Sequence, residues 1–467
     1  MFIVMPPTLA LSAPANVEYG YEPIPGVAGS SSVSSRSLVA PSDNGPGAKP
    51  ASESGSESAN FFQIIGGSWV LITLLLALAI TLAVLTWRRY RRNGSDSGMV
   101  PRVVALGAVL VALPLITLSS AESATRSVAP KGFFGMITQT SFTGTDATRM
   151  AIGGVETLRI PMAWSQVQPD NTDQFDWSGV DTTVGQAAKS GITVLPFLYN
   201  APDWATGRNT NLPVKNATQK NAWTKFVGAA EKRYGPGGDF WQEHAQDSDD
   251  PIDPLPIGTW QIGNEANFFF FATPVSSTNY LTELKLASTT IKQSDPRAKI
   301  MLSGLYGSPP KHQVKAGKAV VSYKFLNQLY KKGAAKYFDI AAIHPYTPNT
   351  SQTKVLMDKF RSVMDRNGDK KTPISISEVG WGSGRKGFLN VGSPGKQANQ
   401  VKSAFKYFLA NRHKLRLLSV YWFSWQDKKN SETSCNFCYT TGMFKSSAKL
   451  TPKPAWKAFV KFSGGKP

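Results

Sequence analysis

At 467 residues the chain exceeds a typical single domain, and one α/β barrel of about 250 residues or more with appended segments accounts for it. Its 41% hydrophobic content is that of a globular chain, and its net charge of +20, nearly all of it beyond residue 127, favours an anionic neighbour such as a phosphate-bearing or uronic-acid wall polymer, a membrane surface or a nucleic acid. The basic residues are scattered and carry no nucleic-acid module signature, and two cysteines with four dispersed histidines do not supply the four ligands of a zinc site, so nucleic-acid binding and a structural metal are set aside.

Residues 1–60 are rich in Ser, Pro, Gly and Ala with little apolar periodicity, the composition of a disordered segment. Residues 61–127 follow with two apolar stretches. Ile64 to Thr86 holds no charge and is long enough, at about 1.5 Å per residue, to cross a hydrocarbon core of about 30 Å. The cluster Arg88, Arg89, Arg91 and Arg92 then places that flank in the cytoplasm. Val103 to Leu118 is shorter, is broken by Pro114 and ends in SSAESA, the proportions of a secretory signal core beginning near Met99; the competing reading is a two-span hairpin. Either way the region from about 128 to 467 is expected outside the cytoplasm, anchored to the membrane or secreted. Cys435 and Cys438 agree with that as a small-loop disulfide, the alternative being two free thiols.

From Gly132 onward, short apolar strands alternate with amphipathic helices. Strands are expected over Gly132 to Thr138, Val155 to Pro161, Ile192 to Leu198, Gly258 to Gly263, Lys299 to Gly304, Phe338 to His344, Pro373 to Glu378 and Leu417 to Phe423. Eight strands separated by helices predict a (β/α)8 TIM barrel, an α/β fold with right-handed crossovers. Stripes such as Trp223, Phe226, Val227 and Ala230, or Tyr280, Leu284, Ala287 and Ile291, are its helical core faces. The Gly, Asp and Pro-rich insertion Gly235 to Pro256 is too long for an ordinary connection and is expected to lie as a loop over the cleft.

Two of these strands end in a carboxylate: GTWQIGNEANFFFF places Asn264 and Glu265 at the end of strand four, and PISISEVGWG places Glu378 at the end of strand seven. In a barrel both would face one mouth. A pair about 5 to 5.5 Å apart is what double-displacement glycoside hydrolysis needs, one carboxylate attacking and the other, kept protonated by its neighbour's charge, donating to the leaving oxygen. Trp204, Trp164 and the run Phe268 to Phe271 are candidate sugar-stacking aromatics, with core packing as the alternative.

Over roughly Lys131 to Phe462 the sequence resembles the clan A retaining glycoside hydrolases of the family 39 and family 5 type. The resemblance implies that Glu265, following Asn264, is the acid/base and Glu378 the nucleophile. Asn264 would hydrogen-bond the hydroxyl next to the anomeric carbon. IHPYT matches the strand-six motif, so His344 and Tyr346 would line the site, the Tyr346 hydroxyl near the nucleophile. Arg159 in TLRIP matches the arginine that holds the nucleophile ionised, and YWFSWQD supplies the tryptophan floor, Trp422 first and Trp425 second. LTPKPAWKAF resembles the closing helix. The implied partner is an oligo- or polysaccharide, with neither metal nor organic cofactor. The rival reading is a non-catalytic polysaccharide-binding barrel at the cell surface.

Overall fold

The computed structural model describes residues 129–467 apart from 246–248, 430–434 and 448, together with Leu85. The expected disordered segment 1–60 and, save for Leu85, the apolar stretches at 64–86 and 103–118 lie outside the described residues. Among the described residues, no helix is long and apolar enough to cross a membrane.

The strands form one all-parallel sheet that curls until its ends meet, an α/β barrel-like fold. They are β1 (Phe134–Ile137), β2 (Thr157–Ala163), β3 (Thr193–Tyr199), β4 (Thr259–Ile262), β5, β6 (Ala341–His344), β7 (Ile374–Val379) and β8 (Leu417–Phe423). β5 comes in two pieces: Lys299–Met301 pairs with β4, Leu305–Tyr306 pairs with β6, and Met301 also bridges Ile340 just before β6. β1 pairs with both β2 and β8, which completes the ring. Every residue of β1, β2 and β7 is buried. Helices cover the outer face while side chains fill the inner one, so these strands read in the sequence as near-continuous apolar runs rather than as alternation.

The principal helices are α1 (Gly144–Ile152), α2 (Ser178–Lys189), α3 (Ala217–Tyr234), α4 (Asp239–Ala245), α5 (Ser277–Ser294), α6 (Ser322–Lys331), α7 (Thr350–Arg366), α8 (Pro394–Ala410) and α9 (Pro454–Ser463). Their starts are written in the sequence: the side chains of Thr143, Asn216, Ser276, Asn349 and Ser393 each accept from a first-turn backbone N–H, typically worth about 1 kcal/mol each. The expected stripes are the buried faces, with Trp223, Phe226, Val227 and Ala230 of α3 and Tyr280, Leu284, Ala287 and Ile291 of α5 all inside. α9 is the expected closing helix, and its Phe459 packs edge-on against Phe134 of β1 and Phe405 of α8.

The insertion Gly235 to Pro256 is not a loop over the cleft. It follows a helix and precedes β4, so the chain is there returning to the strand starts, at the end of the barrel opposite the strand-end carboxylates. It folds in part as α4, burying Phe240 and Trp241, whose indole donates to the Tyr234 carbonyl at 2.9 Å. Ile252 packs near Gly185 of α2, Asp250 pairs with Lys189, and Arg233 is shared between Asp181 at 2.6 Å and Glu243 at 3.1 Å. Its length reflects cladding of the barrel's lower rim.

Candidate active site

At the end of β4 the chain turns sharply. Gly263 has φ of 75° and, two residues on, Glu265 has φ of 41°, a conformation that costs a non-glycine residue about 1–3 kcal/mol and persists only when its surroundings hold it. The hold comes from the middle of β5. Glu265 N–H donates to the Ser303 carbonyl at 2.8 Å and Ala266 N–H to Ser303 Oγ at 3.3 Å. Ser303 is itself fixed by Tyr280 of α5, whose hydroxyl accepts from Ser303 N–H at 2.8 Å and donates to the Ile262 carbonyl at 3.0 Å.

The break in β5 has a related cause. Gly304 has φ of 67°, and a Cβ there would sit 2.2 Å from His344 Nε2 and 2.7 Å from Ser377 Oγ. The imidazole occupies the space a side chain would take, and it reaches Glu265: His344 Nδ1 lies 2.8 Å from Glu265 Oε1 while Nε2 lies 3.1 Å from Ser377 Oγ. Burial, with the Arg159 charge adding, lowers the His344 pKa well below its ordinary value, so the ring is neutral and is donor in one of these contacts and acceptor in the other.

Glu378, near the end of β7, has both oxygens engaged. Arg159 Nη1 donates to Oε1 and the Tyr346 hydroxyl to Oε2, each at 2.7 Å. Arg159 is wholly buried, a state that is strongly unfavourable for an unpaired cation. Every part of its guanidinium is used: Nη2 donates to Asn264 Oδ1 at 2.7 Å, Nε to Gln261 Oε1 at 2.6 Å, and the group lies 4.0 Å over the Phe197 ring. Gln261 passes the connection on to the Leu302 carbonyl at 2.9 Å.

The two glutamates therefore meet, with an oxygen of each and a His344 nitrogen mutually within 4.8 Å. They are 2% and 8% exposed. Burial raises both carboxyl pKa values, and the charge of Glu378 raises that of Glu265 further. The Arg159 charge opposes the rise at both, but only Glu378 also has hydrogen bonds from Arg159 and Tyr346 to hold it down, whereas Glu265 Oε2 has no hydrogen-bond partner among the described residues. A single proton shared between them sits on Glu265, leaving one acid and one carboxylate side by side. The same three side chains could offer ligands to a cation, but the Arg159 guanidinium already neutralises the charge of the pair.

Six residues singled out in the sequence, Arg159, Asn264, Glu265, His344, Tyr346 and Glu378, are thus one hydrogen-bonded cluster. The tryptophans are elsewhere. Trp422 packs on Trp381 at 6.0 Å and donates to the Thr441 carbonyl, while Phe423 is the residue beside Tyr346, at 6.3 Å. Successive strand residues point to opposite faces; Ser419, two pairs before Phe423, shares a face with its register partner Ser375 on β7, and Ser377, two residues on from Ser375, reaches His344 and Gln261 in the interior, which puts Phe423 and not Trp422 on the inner face. Trp425 belongs to the core, its indole donating to Asp146 Oδ1 at 2.8 Å and its ring packed on Phe444 and Trp456. Trp204, half-buried, lies edge-on to Trp164, and its indole N–H is spent on the Gln168 carbonyl. Phe268 is core against Tyr306, whereas Phe271 lines a narrow cavity beside Asn264.

Gln261, Ser377, Ser303 and Phe423 were not found from the sequence, although the two-residue period carries Phe423, and Gln261 stands out between the apolar Trp260 and Ile262. Cys435 and Cys438 are joined as a disulfide. The short turn it closes sets Phe437 on Tyr346 at 5.4 Å and near Phe423 at 6.1 Å.

No family model and no curated protein matches the chain. Solved structures do. A family 39 glycoside hydrolase from the gut symbiont Bacteroides cellulosilyticus WH2 is 19% identical with a TM-score of 0.54, over 73% of this chain and 64% of that one, so the chain spans less than two thirds of that protein's length. A glucosidase from Croceicoccus marinus is 13% identical with a TM-score of 0.51, over 73% of this chain and 69% of that one. At such identities the likeness is one of fold.

Proposed function

We propose that this protein is a retaining glycoside hydrolase in which Glu378 is the nucleophile and Glu265 the acid/base. The observation that carries the reading is the asymmetric pair itself: two carboxyl groups with oxygens within 4.8 Å, one braced by Arg159 and Tyr346 and the other with an oxygen unpartnered. That spacing fits the short separation of retaining enzymes and not the roughly 6.5 to 9.5 Å of inverting ones. Glu378 Oε2 or Oε1 attacks the anomeric carbon as Glu265 passes its proton to the departing oxygen. Esterification then removes the Glu378 charge, the Glu265 pKa falls, and Glu265 takes a proton from the incoming water as its oxygen bonds the anomeric carbon and the ester bond to Glu378 breaks, returning the carboxylate. The glycosidase names of the proteins that share the fold support this reading.

The substrate class in this reading is an oligo- or polysaccharide of the cell envelope or the surroundings. Export, by a signal core or an anchor over residues 64–86, rests on the apolar stretches and the arginines after them, and the +20 charge suits an anionic wall polymer. Glu378→Gly tests the chemistry. Turnover of an activated aryl glycoside should collapse, and added azide should return a glycosyl azide of inverted configuration. A variant as active as wild type rejects the assignment.

A further inference from the structure

Behind the Gly263 to Glu265 turn lies a narrow cavity lined by Asn264, Gly263, Tyr199, Trp223, Phe271 and Glu283 among others. Glu283 belongs to α5 and is 3% exposed, and its Oε2 has no hydrogen-bond partner among the described residues. The carboxyl stands directly against the turn, since a Cβ built on Gly263 would lie 3.8 Å from Oε2. It sits one helical turn from Tyr280, the residue that fixes Ser303 and through it the backbone of Glu265.

We propose that Glu283 is a positioning residue, a carboxylic acid kept neutral behind the turn, whose ionisation displaces Asn264 and so loosens the grip of Arg159 on Glu378. The route is short: the carboxyl abuts Gly263, Asn264 follows, and Asn264 Oδ1 is the acceptor that orients Arg159 Nη2. This rests on the glycosidase reading for its effect on rate, but not for its effect on the turn. The ionisable groups facing the carboxyl are Tyr280 on its own helix and Tyr199 across the cavity, and burial raises both phenol pKa values, so each stays neutral. Desolvation accounts for the shift at Glu283, unopposed by any cation, and pushes its pKa from the ordinary 4.5 up to about 8. The folded pKa exceeds the unfolded one, so the stability owed to the neutral acid is full below about 4.5 and is lost as pH climbs to about 8.

The experiment uses the full chain and the isosteric Glu283→Gln variant. Denaturation midpoints of wild type, Glu283→Gln, Asn264→Ala and the double variant, at pH 6 and pH 9, need no substrate. The effects should add at pH 6, where Glu283 is neutral, and fail to add at pH 9. With a dinitrophenyl glycoside, whose leaving group needs no proton, wild-type kcat/KM should fall up to about tenfold relative to Glu283→Gln as pH rises through the Glu283 pKa, and then level off, because Arg159 Nη1 and Tyr346 still hold Glu378. Additive effects at both pH values overturn the proposal. So do superimposable pH profiles in a turnover-competent enzyme. Non-additivity at pH 9 with no turnover by wild type on any glycoside would sink the hydrolase reading and leave the coupling of Glu283 to the turn established.

Discussion

Tyr346→Phe removes one oxygen and little else. The ring keeps its packing against Phe437 at 5.4 Å and Phe423 at 6.3 Å, while Glu378 Oε2 loses its 2.7 Å donor. A hydrogen bond to a charged acceptor contributes about 1.5–3 kcal/mol, which at about 1.4 kcal/mol per unit raises the Glu378 pKa by roughly one to two units. The sign follows from which form the hydroxyl serves: it donates to the ionised carboxylate, so its loss favours the protonated one. The acidic limb of kcat/KM, set by the free enzyme's nucleophile, should therefore move up by about one to two pH units. Arg159 still holds Oε1, so activity persists at higher pH. The assay is a pH–rate profile on an aryl glycoside found by panel screening, with a denaturation curve to show that the fold survives. An acidic limb that stays in place, in a variant as stable as wild type, would refute the claim that Tyr346 keeps Glu378 charged.

Two further outcomes separate chemistry from packing. Glu265→Gln leaves the His344 contact a polar partner but cannot donate a proton; turnover of glycosides with poor leaving groups should fall by about 10²–10⁴, dinitrophenyl glycosides should be cleaved with far less loss in the first step, and the alkaline limb should vanish. Trp425→Ala should cost about 3–5 kcal/mol in chemical denaturation, because the indole fills core between Phe444 and Trp456, and should leave both pH limbs unmoved. A sugar-floor role for Trp425 would instead show as a raised KM at near wild-type stability.

The strand count and the chemical cluster were legible because both depend on residue type at strand ends. An apolar run that terminates in Asn264 and Glu265, or in Glu378, identifies itself whatever its neighbours are. The errors share another origin. Trp422 and Phe423 are adjacent aromatics, and which of them faces inward depends on register with β1, where Met136 pairs with Trp422 and Ile137 with Phe423. The segment Gly235 to Pro256 has loop-like composition, but its place is fixed by topology: it connects a helix to a strand, so it lies at the strand starts.

What the linear chain hid most completely is the difference between two identical residue types. Glu265 and Glu378 have the same side chain and near-equal burial, so desolvation alone would raise both and leave neither ready to attack. The inequality is introduced by residues distant in sequence: Arg159 from β2 and Tyr346 after β6 both bind Glu378, and the Asn264 carbonyl oxygen directs the guanidinium there instead of toward its own neighbour Glu265. Coulombic attraction falls with distance and hydrogen bonding needs alignment, so a short displacement of Asn264 would weaken the bias. The proton inventory of the pair thus depends on backbone geometry at Gly263 to Glu265, where the strained turn, Ser303 and Tyr280 hold Asn264 in place.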